Sequence, residues 1–244
     1  MNGKFPKISP MGERAVLVEF EPEISQEVLE KVLFYKDKIS LLYHEVKLEV
    51  INTYNSLLIK YISSIEDLYG EILTIKTLFQ EDAVSRYSKA RLYQLPVCYS
   101  KKFGLDLQLI SEEKKMETQE IIRLHSNTIF TVYFIGFLPG FLYLGGLPEE
   151  LYIPRKNEPR LAIEKGAVGI GEKQTGIYPQ SSPGGWQIIG NCPVPFFDKN
   201  KLPPCEISAG DKVKFYPVSE EEFEQISEDI SNGNFKLKSE KYDG

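Results

Sequence analysis

Histidine is almost missing from this sequence: two residues in 244, His44 and His125. A multi-histidine metal centre cannot be built from that supply, and no HExxH pair occurs. Cysteine is scarce too, with Cys98, Cys192 and Cys205 widely spaced and no CxxC pair. Three such residues suit a reduced cytosolic protein better than a disulfide framework. There is no GxxxxGK[ST] phosphate loop, no GxSxG elbow and no GxGxxG at a strand–helix junction. Long basic runs are lacking, and 29 Lys+Arg against 35 Asp+Glu give a net charge of −6. That balance argues against a nucleic-acid binder or an electrostatic membrane adaptor. The first twenty residues carry two prolines and scattered charges where the apolar core of a secretory leader would have to lie. No repeat of solenoid period is visible.

What is present is an ordinary globular composition, with 42% hydrophobic and 12% aromatic residues. Disordered chains lack that supply of branched and aromatic side chains. The length fits two domains. One uncharged stretch, Asn127 to Pro148, runs for 22 residues, about a bilayer span. Pro139 and four glycines interrupt it, and its first half is β-branched and aromatic, so the expectation is a buried strand, Thr128–Ile135, entering a glycine-rich loop. A cytoplasmic chain follows.

The first 88 residues alternate strand and helix. Arg14–Phe20, Glu45–Ile51 and Ser56–Tyr61 read as strands. Ser25 is placed to cap a helix with Val28, Leu29, Val32 and Leu33 on one stripe, and Ser64 to cap another bearing Leu68, Ile72, Ile75 and Leu78. The β-α-β-β-α order predicts a ferredoxin-like sandwich, with Arg91–Cys98 a possible closing strand and Glu81–Ala90 a linker. Residues 89–244 differ. A helical segment at Thr118–His125 leads to the Thr128–Ile135 strand. Short apolar pieces then recur between turns: Leu161–Ile163, Ala167–Ile170, Gln187–Ile189, Val194–Phe197 and Lys212–Tyr216. These predict a closed barrel or a sandwich. A helix at Glu220–Ile230, capped by Ser219, and a loose tail of about ten residues complete the chain. The fold class expected is α+β.

Candidate chemistry concentrates in Tyr133–Trp186. Gly136–Pro148 interleaves Gly136, Gly140, Gly145 and Gly146 with Phe137, Phe141 and Tyr143, which would let backbone approach a ligand between aromatic walls. Arg155 and Arg160 each follow a proline, a rigid way to present guanidinium groups to a carboxylate or phosphate. Val168–Trp186 offers Gly169 and Gly171, then Gln174, Tyr178 and Ser182, and Gly184-Gly185 before the single Trp, a composition able to form an anion-binding nest. Corners of any β-barrel would also be rich in Gly and Pro, and Trp186 and Phe141 could be plain core residues. His44 suits a structural role. His125 suits either the last carbonyls of its helix or a general acid/base.

Several strings together resemble one family. They are PVCYS (Pro96–Ser100), FGLDL (Phe103–Leu107), RLHS (Arg123–Ser126), VYFIGFLPGFLYLGGLP (Val132–Pro148), the PR pairs at 154–155 and 159–160, QTGIYPQSSPGGWQIIG (Gln174–Gly190) and AGDKVKF (Ala209–Phe215). The start, Gly12–Phe20, extends the match. The sequence is similar to the 5-oxoprolinase B-subunit family, also described as allophanate hydrolase subunit 1 or KipI-like. It departs where Glu172-Lys173 stand at a place expected to be small and glycine-like.

The resemblance implies a cyclophilin-like second domain. It also implies work beside two further 5-oxoprolinase polypeptides, a cyclophilin-like C subunit together with an A subunit. It implies ATP, with Mg, spent on opening 5-oxoproline to glutamate through a phosphorylated intermediate. A lactam amide is a poor electrophile, so such coupling is coherent. His125 would then be a proton donor or orienter, Arg155 and Arg160 anion clamps, and Tyr133, Gln174, Tyr178 and Ser182 would line the cleft. Gly136, Gly140, Gly169, Gly171, Gly184 and Gly185 would supply close backbone. KipI-like proteins also imply an alternative, inhibition of a sensor histidine kinase through an exposed aromatic loop at Phe137–Leu144. A peptidyl-prolyl isomerase reading finds no matching catalytic loop.

Overall fold

The computed structural model describes residues 6–43, 48–79 and 90–242. The chain forms two compact units, Met1–Ser88 and Lys89–Gly244. His44 and all of Glu81–Ala90 except Ala90 lie outside the described residues.

The first unit contains β1 (Lys7–Pro10), β2 (Ala15–Glu19), α1 (Gln26–Leu42), β3 (Leu48–Asn52), β4 (Ser56–Tyr61) and α2 (Leu68–Leu78). Its sheet runs β1-β2-β4-β3, antiparallel throughout. The crossover from β2 through α1 to β3 thus leaves a gap that β4 fills, a split βαβ unit. Alternation in β2 turns Val16 and Val18 inward, and β4 does the same with Leu57 and Ile59. They meet Val28, Val32, Tyr35 and Ile39 from one stripe of α1, and Ile75 of α2. Each such side chain contributes about 1.5–3 kcal/mol on leaving water. Ser25 caps α1, its hydroxyl accepting from the Val28 N–H at 3.3 Å. The second helix starts three residues later than its expected cap: Asp67, not Ser64, accepts from Gly70 N–H at 2.9 Å. A carboxylate serves there as well as a hydroxyl.

At this sheet's edge one strand was not expected, and one that was expected is absent. Strand β1 lies beside β2 although Pro10 ends it, since an edge strand can spare one N–H. Arg91–Cys98 does not close this sheet. It forms β5 (Arg91–Val97) of the second unit, where Leu92, Tyr93, Leu95, Pro96 and Val97 are buried.

The second unit continues with α3 (Leu107–Lys114), α4 (Thr118–Asn127), β6 (Ile129–Ile135), β7 (Leu142–Gly145), β8 (Arg160–Ile163), β9 (Ala167–Gly171) and β10 (Gln174–Ile177). It ends with β11 (Ser182–Gly184), β12 (Gln187–Asn191), β13 (Lys212–Pro217), α5 (Glu220–Ser231) and β14 (Lys238–Lys241). Eight strands form one sheet in the order β12-β9-β10-β7-β6-β13-β5-β14, and β8 pairs with β11 in a separate ribbon. Among the paired strands of the described residues, only β5 and β13 run parallel. The sheet does not close into a barrel through a continuous ladder. A single antiparallel bridge, Cys98 with Asn191, ties the end of β5 to β12 through two hydrogen bonds of 2.9 and 3.0 Å. The architecture is mixed α/β with several sheets.

Residues 127–148 are not a membrane helix but β6, a turn and β7, with Phe130, Val132, Leu142 and Leu144 at the centre of the core. Among the described residues no helix is long and apolar enough to cross a membrane. Val194–Phe197 is not a strand; Val194 and Phe196 are buried from irregular backbone. The expected loose tail is also ordered: β14 pairs with β5, and Phe235 and Leu237 pack on the core. Helix α5 begins at Ser219 with a full capping box completed by Glu222.

Candidate functional site

The two Pro-Arg steps lie in and just before β8, and they make different contacts. Arg160 donates twice to Asp106, Nη1 to Oδ2 at 2.9 Å and Nη2 to Oδ1 at 2.8 Å. Lys156 Nζ donates to Asp106 Oδ1 at 3.1 Å. The Ile188 N–H donates to Asp106 Oδ2 at 2.6 Å, and the Asp106 N–H returns a bond to Ile188 O at 2.8 Å. One buried carboxylate, 4% exposed, therefore faces two cations. Burial pushes the Asp106 carboxyl up, but bonds from Arg160, Ile188 and Lys156 outweigh it and hold it below the usual range. Gln187 extends the network, its amide donating to Pro154 O at 3.1 Å. Backbone completes it, Lys156 N–H donating to Gly185 O at 2.7 Å.

Arg155 points elsewhere. Exposed to solvent, its guanidinium carbon stands 5.8 Å from the centre of the Trp186 ring. Trp186 and Tyr178 each meet Phe141 edge-to-face, at 5.5 and 5.0 Å. The indole lies flat against Gly171, where an added Cβ would fall 2.6 Å from Nε1. Burial pushes the Tyr178 hydroxyl up to about 12, with the nearby Arg155 charge pulling the other way. The same two influences act on Tyr143. Arg155 is thus an open cation held over an enclosed aromatic cluster, and its guanidinium is suited to a small anion.

Around this cluster the structure gathers Arg155, Arg160, Tyr178, Ser182, Gly184 and Gly185. Gly184 pairs with Arg160 across the ribbon, and a Cβ on it would meet the Tyr178 hydroxyl at 2.5 Å. Ser182 is buried, and its hydroxyl donates to Pro183 O at 3.2 Å, so its proton is already engaged. Gly169 and Gly171, on β9, back the indole.

Other expected residues lie apart. Tyr133 is buried with its ring against Gly145. Gln174 is half-buried opposite Gly171 at the start of β10. Gly136 and Gly140 sit in the β6–β7 turn, where Gly140, at φ +86°, lies against Phe196-Phe197. His125 is in the core, wholly enclosed, and both ring nitrogens have protein partners. Tyr99 Oη stands 2.8 Å from Nδ1, and Thr175 Oγ1 stands 2.9 Å from Nε2 while donating to Gly169 O at 3.0 Å. The Thr175 proton is thereby committed, so Nε2 carries the hydrogen and Nδ1 accepts from Tyr99. Phe215 stacks on the ring at 4.7 Å. Burial lowers the imidazole to about 3, so it is neutral. It bonds neither the helix-end carbonyls nor anything in an open cleft. Its role is to satisfy two buried hydroxyls.

The sequence reading missed Asp106, Lys156 and Gln187. Asp106 stood inside FGLDL, flanked by Leu105 and Leu107, where a charged residue beside apolar ones signals a buried partner.

Comparison with known proteins gives the family. Residues 6–207 match the model described as "Carboxyltransferase domain, subdomain C and D". The 5-oxoprolinase B subunit of Haemophilus influenzae is 38% identical over 208 residues, 85% of this chain and 96% of that protein. That of Bacillus subtilis is 42% identical over 139 residues, 57% of this chain and 58% of that one. In structure, the chain superposes on the Kluyveromyces lactis urea carboxylase with a TM-score of 0.79 at 24% identity, covering 96% of this chain and 24% of the enzyme. That likeness is one of fold, and it is to a segment of a much longer polypeptide. The motif strings, the family match and the full-length relative agree: the chain belongs to the 5-oxoprolinase B-subunit family of carboxyltransferase C and D subdomains.

Proposed function

We propose that this chain is the B-type component of an ATP-dependent amide-opening complex, acting on 5-oxoproline beside A-type and C-type components and inactive alone. The observation that carries the reading is the Arg155 guanidinium, open to solvent over Trp186 while its neighbours Lys156 and Arg160 are committed to Asp106. A charged side chain kept free beside two neutralised ones is available for an anion brought from outside. The 5-oxoproline carboxylate supplies that charge. Arg160 and Lys156 become braces, fixing the β8 ribbon through Asp106 so that Arg155 and Tyr178 keep their spacing. A partner polypeptide covers Arg155 and excludes water. The second unit is read as cyclophilin-like and the first as ferredoxin-like, a reading supported by the single-bridge sheet and the split βαβ order.

ATP would supply the driving force for opening a poor electrophile. Among the described residues no three His, Cys, Asp or Glu side chains are grouped to hold a metal ion, and Asp106 is fully engaged. Mg bound with ATP takes one or two carboxylates and the phosphates themselves, and its seat is proposed to lie on another polypeptide of the complex.

The test uses the assembled complex. Arg155→Ala should raise the 5-oxoproline KM at least tenfold, and Arg160→Ala should lower activity together with thermal stability. Unchanged kinetics in both would remove this face from the site.

A second reading has one observation in its favour. Phe137 is 65% exposed in the β6–β7 turn, with Phe197 exposed as well. A kinase-inhibiting protein could dock through such rings. The purified chain alone blocking autophosphorylation of a sensor histidine kinase, and Phe137→Ala losing the effect, would favour it.

A further inference from the structure

Both Tyr178 and Tyr143 stand near Arg155, and the sequence singled out Tyr178 for the site. Each ring meets the indole that Arg155 overlies, Tyr143 at 5.9 Å and 80°, Tyr178 at 6.4 Å and 85°. The Arg155 charge also pulls both hydroxyls toward lower values, so both lie within its electrostatic reach. They differ in access. Tyr178 is 2% exposed, whereas Tyr143 is only half-buried and meets solvent, as Arg155 does.

Tyr143 is also held still. On β7 it lies across from Phe134 of β6, whose ring stacks on it at 4.1 Å and 13°. Phe141, two residues earlier, meets it at 4.6 Å. With the indole these rings pack the phenol from three directions, and a side chain locked by packing presents its polar end in one place. Burial outweighs the Arg155 charge and raises the Tyr143 hydroxyl above its usual value. At neutral pH it therefore keeps its proton and can donate.

We propose that Tyr143 is a specificity-determining residue of the Arg155 site, its hydroxyl donating to the carboxylate that the guanidinium holds. This rests on the assignment of a substrate carboxylate to Arg155 and adds the group that tells a carboxylate from an uncharged carboxamide. The two oxygens of a carboxylate only accept, so a guanidinium and a phenol can both donate to it. A carboxamide puts an NH2 group where one oxygen stood. That donor then faces donors, and one of them loses its partner.

The assembled complex is assayed with 5-oxoproline as substrate and its carboxamide as competing ligand, in the parent, Arg155→Ala and Tyr143→Phe. The parent should bind the carboxamide at least tenfold more weakly than 5-oxoproline. Tyr143→Phe should raise the 5-oxoproline KM roughly tenfold, the low end for a hydrogen bond to a charged group, and leave kcat within about twofold. It should also narrow the preference over the carboxamide. Damage to the packing would weaken both ligands alike, so the ratio reports the hydroxyl even in a less stable variant. Equal weakening of both, a lower kcat at unchanged KM, or parent-like kinetics in Tyr143→Phe would each overturn the proposal. If Arg155→Ala still raises KM in that case, the Arg155 assignment stands without Tyr143. A parent that does not prefer 5-oxoproline, or an unchanged KM in Arg155→Ala, would remove both.

Discussion

Asp106 accepts two parallel bonds from the Arg160 guanidinium, and 50 residues of chain separate it from its other cation, Lys156. Removing the carboxylate strands both cations. Asp106→Ala should cost about 3 kcal/mol, the low end for breaking a buried pair. The low end applies because Arg160 and Lys156 keep 26% and 23% exposure. The native carboxyl titrates below its unfolded value, so its contribution is complete above about pH 4 and fades as acid carries the pH through the native value. Urea melts across that range should show a shallower acid loss in the variant than in the parent.

His125 gives a second acid signature in another window. Its native value is about 3, while an unfolded imidazole titrates near 6.5. Protons therefore bind the unfolded chain first, and stability should fall steadily from about pH 6.5 down to about 3. His125→Gln should flatten that slope even though it lowers stability at neutral pH. A slope identical to the parent's would mean that the ring is not held neutral. Tyr99→Phe should cost about 1–3 kcal/mol by leaving Nδ1 without its donor.

Glu172 holds φ at +57° between β9 and β10 while exchanging backbone bonds of 2.7 and 3.2 Å with Ile153. A side chain in that region costs about 1–2 kcal/mol, and the greater freedom of glycine in the unfolded chain offsets part of what its substitution relieves. Glu172→Gly should raise stability by about 0.5–1 kcal/mol, read as a higher urea midpoint with an unchanged slope.

Trp186 is the only tryptophan, so its emission reports one place. Gly171→Ala would push a methyl into the indole, displacing it at a cost of about 1–3 kcal/mol. The emission should move to longer wavelength, and the Arg155 contact should be lost with it. An unshifted spectrum would show that the ring has room to yield.

Where the sequence was legible, a periodic signal and a local cap coincided. Ser25 before the α1 stripe and Ser219 before α5 are such places, as are the alternating Val16 and Val18. Strands β10 and β11 escaped notice because Thr175, Gly176, Ser182 and Gly184 carry no alternating apolar signal; neighbouring strands and the indole dictate their shape. Strand β14 reads KSEK, and only its pairing with β5 makes it a strand. Arg155 and Arg160 were visible as cations, but not their division of labour. That depended on Asp106, a residue brought near by folding alone.

The Cys98–Asn191 pair is the seam of the second unit. Two amide bonds there do what whole ladders do elsewhere, and β5 reaches them only past its pairing with β14. Hydrogen–deuterium exchange should accordingly reach the Cys98 and Asn191 amides before those of β9 or β13. Any motion that loosens this unit without unfolding it would unzip from that point.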